Sequence, residues 1–369
     1  MTFAFVAVSL VAFLAASTLA VDVGMFMTAR SQAQNAADGG ALAGAVALAF
    51  DDFDDRTAAG PAVQSAINTA RANAVMREIV SVEAEDVTFP VAPGGESNRV
   101  RVDVHRTAAR ANSVATLIGP LFGVPTVDIA ATATAEAAPA NAMTCVKPFT
   151  IPDRWIENSD PPWTVDSTFD RYDNKGNLLP NADVYIPPGV AGYAGYQAMP
   201  DRGMPLMLRA GVGNNIEPTF YWSWKMPGEI GGDFYRDNIA NCNQSVFTYG
   251  DPMTQEPGNM MGPTLQGIDD LIAKDPDAFW DAGTNRVVSD MHPSPRVFPI
   301  PLYDPEFYAA GKANGRNASL RMANWLGFFV ESRNGNNVFG RITPILGTID
   351  KDAGPAPAGA FPRAIRLVQ

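Results

Sequence analysis

Hydrophobic and polar positions follow three patterns along the chain. The first runs from Phe3 to Val21, FAFVAVSLVAFLAASTLAV, 19 residues without a charge, and it ends at Asp22. As a helix this run rises about 28 Å, close to the thickness of bilayer hydrocarbon. It predicts a transmembrane helix over residues 1–21. A cleaved signal peptide is the competing reading, because Thr18-Leu19-Ala20 has the small-x-small form of a cleavage site. Against it stand the length of the run, the lack of a basic segment before it, and its direct passage into a helical pattern. The missing Lys or Arg also weakens any assignment of orientation and leaves a start codon further upstream open. A prepilin peptidase site would need a Gly before the apolar run and a Glu inside it. Neither is present, so this is not an ordinary processed pilin.

The second pattern covers residues 22–140 and predicts a small α+β domain with a long N-terminal helix. Residues 22–50 continue the first helix. Ala29, Ala33, Ala36, Gly40, Ala43 and Ala47 recur at alternating spacings of four and three, which keeps them in one narrow stripe. Gly costs a helix about 1 kcal/mol relative to Ala. Retaining Gly on this face makes sense if another backbone must approach closely. The partner is either the chain's own second helix or sheet, or a helix of another protein. Asp51-Asp52-Phe53-Asp54-Asp55 breaks the helix. Gly60-Pro61 starts a second one, expected over 61–80, with Val63, Ala66, Ile67, Ala70 and Ala74 at helical spacing. Val82–Phe89 and Arg99–Thr107 read as strands around the turn Pro93-Gly94-Gly95. Val100, Val102 and Val104 alternate with Arg101, Asp103 and His105, the period of a half-buried strand. Asn112–Phe122 suits a short amphipathic helix, and Thr126–Ala137 alternates as a further strand. Ala137-Ala138-Pro139-Ala140-Asn141 reads as a linker.

The third pattern, 141–369, predicts a β-rich, loop-rich domain. Short apolar runs at Asp183–Ile186, Leu206–Arg209, Phe220–Trp224, Val297–Ile300 and Trp325–Glu331 are separated by clusters of Pro, Gly, Asn and Asp. One helix is predicted at Thr264–Lys274, where Leu265, Ile268, Leu271 and Ile272 share a face.

Composition narrows the chemistry. A net charge of −12 and a pI near 4.6 exclude a general nucleic-acid binder, which needs a basic footprint. Two histidines, His105 and His292, leave little room for histidine-based catalysis or zinc. The two cysteines, Cys145 and Cys242, form a natural disulfide pair if the C-terminal domain lies outside the cytoplasm. The alternative is two buried free thiols.

No GxSxG, HExxH, CxxC or P-loop lysine motif occurs. The stretch Asp170-Arg171-Tyr172-Asp173-Asn174-Lys175-Gly176-Asn177 fails as an EF-hand: with Gly176 at the glycine position, Arg171 falls where the first Asp belongs and Ala182 where the Glu belongs. A hairpin turn at Asn174–Asn177 is the expectation. Asp166-Ser167-Thr168-Phe169-Asp170 resembles the metal-dependent adhesion motif of von Willebrand A domains, but Thr168 and Asp170 replace its serines and no strand precedes it. His292 has no recognisable partner. Phe220-Tyr221-Trp222-Ser223-Trp224 is either a sugar-binding platform or, as alternate residues of a strand, core.

The stretch from Leu19 to Ala43 resembles the N-terminal signature of TadG-like Flp (tight-adherence) pilus-assembly proteins. The matching positions are Ala20, Val21, Asp22, Gly24, Arg30, Gln34, Asn35, Ala36, Ala37, Asp38, Ala41, Leu42 and Ala43. The likeness continues more weakly to Ala135. Basic residues that usually precede the span are absent, and so is the von Willebrand A insertion of many relatives. The resemblance implies a non-enzymatic, single-pass inner-membrane component of the Tad machinery with most of its chain in the periplasm and no cofactor. Its partners would be membrane lipid and pilus-machinery proteins, including pseudopilins. The alternative is an anchored adhesion or ligand-binding protein that takes carbohydrate or calcium. An anchored hydrolase working through an Asp/Glu pair would be a third class, but nothing in the sequence picks out such a pair.

Overall fold

A computed structural model describes residues 2–51, 54–93, 97–213, 215–258, 260–291, 293–313 and 319–368; for residues 2, 4, 7, 11, 12, 14, 15, 17–19, 121, 122 and 313 it describes the backbone alone. The chain is α+β, with a long N-terminal helix and a β-rich remainder. It divides into two compact units, residues 1–138 with 365–369, and residues 139–364.

The first unit opens with α1 (Thr2–Phe50), a single helix that runs through both the apolar segment and the small-residue stripe. Among the described residues no helix is long and apolar enough to cross a membrane. A second helix, α2 (Pro61–Ala72), packs beside it, with Pro at its first turn and Ala62, Val63, Ala66, Ile67 and Ala70 buried. This helix is shorter than the expected 61–80. Asn73 stops it, its side-chain amide donating to the Thr69 carbonyl, and Met76 and Arg77 then take left-handed backbone conformations that a helix cannot continue through. Ala74 therefore lies outside the helix and is exposed. The sheet of this unit has the order β1 (Val87–Thr88), β2 (Arg99–Arg106), β5 (Ile129–Pro139), β17 (Arg363–Val368). In β2 the predicted alternation is realised: Val100, Val102 and Val104 are buried and Arg101 is exposed. They stand opposite Ala135, Ala133 and Ala131 of β5.

The expected helix at Asn112–Phe122 does not form. The segment folds into a small hairpin, β3 (Val114–Ala115) with β4 (Thr126–Val127), whose connection carries a 3-10 turn at Gly119–Phe122. Gly119-Pro120 breaks any longer helix, since Gly is entropically costly there and Pro is tolerated only in a first turn. The two units divide between Ala138 and Pro139, inside the expected linker, where Ala137 and Ala138 are buried residues of β5.

The second unit holds β6 (Ala142–Met143), β7 (Phe149–Pro152), β8 (Pro205–Ala210), β9 (Phe220–Ser223), α3 (Gly232–Ala240), β10 (Phe247–Thr248), β11 (Pro252–Met253), α4 (Met261–Lys274), β12 (Phe279–Asp281), β13 (Arg286–Val288), β14 (Val297–Tyr303), α5 (Pro305–Ala313), β15 (Leu320–Asn334) and β16 (Asn337–Ile342). Six of these strands close on themselves in the order β15-β14-β7-β9-β8-β16, because β16 pairs with both β8 and β15. The barrel mixes antiparallel pairs with two parallel ones, β14 with β7 and β8 with β9. Its core includes Phe149, Ile151, Leu206, Tyr221, Ile300, Leu326 and Phe328. Closure removes the edges that open sheets leave unpaired. The run Asp183–Ile186 makes only a single bridge, Val184 with Ile156.

Candidate functional site

The first unit is organised by α1, which presents two different surfaces. Towards its start the described apolar side chains are exposed: Phe3 by 93%, Phe5 by 76%, Leu10 by 57% and Phe13 by 71%. Beyond Asp22 the helix turns a small-residue face inward. Ala29, Ala33, Ala36 and Ala47 are buried and Ala43 is half-buried. The buried stripe also takes in Ala37, Ala41, Gly44, Ala45 and Leu48, so it drifts towards that side of the helix as it approaches α2. The drift follows from 3.6 residues per turn, which a spacing of four and three does not match over several turns.

The closeness of this packing is set at Gly40 and Gly44. A Cβ on Gly40 would stand 3.0 Å from the Ala66 carbonyl oxygen and 3.0 Å from the Ala70 Cβ. On Gly44 it would meet a Val100 methyl at 2.8 Å, the Ala66 Cβ at 3.1 Å and the Ala62 oxygen at 3.2 Å. Three residues of α2 and one of β2 therefore stand so close that a side chain on either position would have to push a neighbour aside.

The polar residues of the helix are tied into the same unit. Gln34 donates to the Asp38 carboxylate at 2.8 Å and to the Thr132 carbonyl at 3.1 Å. The Gln32 side-chain oxygen accepts the Met76 N–H at 2.8 Å, holding the left-handed turn that ends α2. Asp22 carries the largest such role. Its carboxylate accepts the backbone N–H groups of Leu117 at 2.9 Å, Ile118 at 3.1 Å and Gly119 at 3.1 Å. The Leu117 N–H, with those of Ile118 and Gly119, holds its pKa below the ordinary carboxylate range against the opposing effect of desolvation. Asp22 thus latches the β3–β4 hairpin loop to the helix one residue after the apolar run ends.

The decisive comparison concerns this same helix. Residues 1–47 match the family model Tad, described as Flp pilus-assembly TadE/G-like. No curated protein and no solved structure matches the chain. The Tad match covers the apolar run, the Asp22 latch and the small-residue face. It stops before α2, so the second unit lies wholly outside it.

The second unit sets the disulfide expected from the sequence beside buried ionisable groups that the sequence did not announce. Cys145 and Cys242 are joined in a disulfide that fastens the start of the unit to the end of α3. Beside it Lys147 is buried, and its ammonium donates to the carbonyls of Ile239 and Asn241 at the end of α3. Burial, with Lys274 adding repulsion, lowers its pKa to about 7. Asp153, fully buried at the end of β7, accepts from the hydroxyls of Tyr185 at 2.9 Å and Tyr193 at 3.0 Å and from the N–H groups of Arg154 and Tyr196. Burial outweighs these bonds and pushes it up to about 6. A periodicity search cannot find such groups, since they lie at strand ends and their partners are far apart in sequence.

The remaining sequence candidates resolve as structural features. Gly176 takes a positive φ in the turn at Asn174–Asn177, and Asp173 accepts from the N–H groups of Lys175 and Asn177. Phe220, Tyr221 and Trp224 are buried, and Trp222 packs on Tyr308. Among the described residues no group of three His, Cys, Asp or Glu could hold a metal ion; His292 lies outside them.

Proposed function

We propose that this protein is a non-enzymatic component of Flp/Tad pilus assembly, anchored in the inner membrane by residues 1–21, with the rest of the chain in the periplasm. The observation that carries the reading is the Tad match over residues 1–47, which falls on one continuous helix. The exposure of Phe3, Phe5, Leu10 and Phe13 supports the anchor. Fully burying a side chain of this kind gains about 1.5–3 kcal/mol, and a helix in lipid satisfies its own backbone. The disulfide supports an oxidising compartment. The small-residue face against α2 makes the second half of the helix a structural member of the first unit. Contact with pseudopilins or other machinery proteins would then use the remaining surface of that unit or the barrel unit.

Deletion of the gene should abolish or reduce surface pili, with full-length protein restoring them. Reporter fusions after residue 60 and at the C-terminus should both report the periplasm. Unchanged piliation in the deletion strain, or a cytoplasmic signal from both fusions, would overturn the proposal.

A further inference from the structure

We infer that the loop between β3 and β4, residues 116–125, rests in the membrane interface as a collar beside the emerging helix. The inference depends on the anchored reading of residues 1–21. Three independent observations point to lipid as the occupant of this surface.

The first is position. The Asp22 carboxylate binds the N–H groups of Leu117, Ile118 and Gly119, so the loop sits against the first residue after the apolar run. If that run spans the bilayer, the loop is at headgroup level. The second is composition. Between Arg110 and Asp128 the chain reads ANSVATLIGPLFGVPTV, without a charge. Leu117 is 67% exposed and Val124 49% exposed, as are Val21 and Val23 on the helix, at 48% and 45%. The apolar surface of the helix is thereby continued sideways onto the loop.

The third is the state of the backbone. A segment can enter a low-dielectric layer only if its N–H groups are already bonded, since each unsatisfied group costs several kcal/mol there. Thr116 donates its N–H to Pro125, Gly123 to Pro120 and Val124 to Gly119. Leu117, Ile118 and Gly119 donate to Asp22, and Pro120 and Pro125 have no N–H to satisfy. The Thr116 hydroxyl closes the turn by donating to the Val124 and Pro125 carbonyls. Six of the eight N–H groups of residues 116–125 are thus bonded within the chain, more than a water-facing loop requires. Interfacial segments bury exposed apolar side chains, here Leu117 and Val124, roughly 5–10 Å into the boundary layer.

The test uses the full chain in vesicles of phosphatidylcholine and phosphatidylglycerol. Among the described residues there is no free cysteine, so Leu117→Cys, Val124→Cys, Leu10→Cys and Gln64→Cys can each be spin-labelled selectively. All four positions are exposed, which keeps the substitutions compatible with folding. Labels at 117 and 124 should be relaxed more by oxygen than by an aqueous nickel chelate, as at 10, while the label at 64 shows the reverse. A lipid signature at 10 with an aqueous one at 117 and 124 would overturn the collar and leave the anchor standing. An aqueous signature at 10 would overturn the anchor and the collar with it. Labels at 117 and 124 that are immobilised and shielded from both reagents would mean a second copy of the chain covers the loop, which also overturns the inference.

Discussion

Substituting Ala at Gly39 and at Gly44 should move stability in opposite directions, although the two positions lie on one helix little more than a turn apart. At either site Ala gains about 1 kcal/mol of helix propensity over Gly. On Gly39 the new Cβ would find the Asn73 amide at 3.4 Å and a Thr69 methyl at 3.6 Å, which is ordinary contact, so Gly39→Ala should stabilise by most of that amount. On Gly44 the Cβ would sit 2.8 Å from the Val100 methyl, 3.1 Å from Ala66 Cβ and 3.2 Å from the Ala62 oxygen. Two of these neighbours belong to α2 and one to the central strand, so none can swing away cheaply. Overpacking of this kind costs about 1–3 kcal/mol, and the net change runs from about zero to about 2 kcal/mol destabilising. The propensity gain cancels between the variants, so their difference isolates the steric cost. All six tryptophans lie at or beyond Trp155, so fluorescence reports the second unit. The helical circular dichroism signal and amide exchange in α2 report the first. Denaturant titration of the full chain in micelles, followed by these two readouts, gives the comparison. Equal stabilisation by both substitutions would refute the close approach and make the small-residue face merely a solvated Ala-rich helix.

Three further outcomes follow from single groups. Reducing Cys145–Cys242, which are separated by 97 residues, should lower the unfolding free energy by about 2–5 kcal/mol, the upper end being the chain-entropy value for a loop of that size; an unchanged melting temperature with reductant would count against this. Asp22→Ala should raise amide exchange at Leu117, Ile118 and Gly119 while leaving α2 unaffected. Because the Asp22 pKa is lowered in the folded chain, the latch in the native protein should hold above about pH 4 and be lost only as pH falls through the depressed value. Asp153 has the opposite sign: its folded pKa is raised to about 6, so the folded state binds more protons between about pH 4 and 6 and loses stability from this group as pH rises through that window. Asp153→Asn should therefore become more stable relative to the native protein over the same interval, and a parallel pair of pH profiles would contradict it.

Much of the first unit was legible because its elements bury one face against a regular neighbour. The alternation Val100, Val102, Val104 and the Ala and Gly spacing on α1 are properties of single elements; the strand keeps its alternation, while the buried stripe of α1 drifts so that Ala43 is only half-buried. What failed was local punctuation. The pattern of α2 continued to Ala74, but Asn73 could bond its own preceding turn, and that local competition ended the helix. Asn112–Phe122 looked amphipathic, yet Gly119-Pro120 and the β-branched Val114 and Thr116 favoured a hairpin. The barrel was illegible for a different reason. Its closure depends on β16 meeting both β8 and β15, and pairings across such distances leave no mark on the period of any one strand. The helices α3 and α5 are each 9 residues long, too short for a period to stand out. The Asp22 latch could have been suspected from an acidic residue fixed at the end of an apolar run, but its three partners lie almost a hundred residues away.

The two halves of α1 differ in residue size as well as in exposure, and the two differences have one cause. A helix surrounded by lipid gains from transfer of apolar area, which favours Phe, Leu and Val, and on the proposed anchoring Phe3, Phe5, Val8, Leu10 and Phe13 serve in that way. A helix packed on another helix gains from close backbone approach, which favours Ala and Gly, as from Ala29 to Gly44. Large residues on the face from Ala29 to Gly44 would force α2 away and open the sheet; on the proposed anchoring, small ones in place of Phe3, Phe5, Leu10 and Phe13 would remove the area that makes lipid a better solvent than water. A carboxylate suits the boundary because it is excluded from hydrocarbon yet strongly bound by converging N–H groups. Asp22 fixes the position of the hairpin loop, and on the proposed anchoring it would also set the depth of the helix.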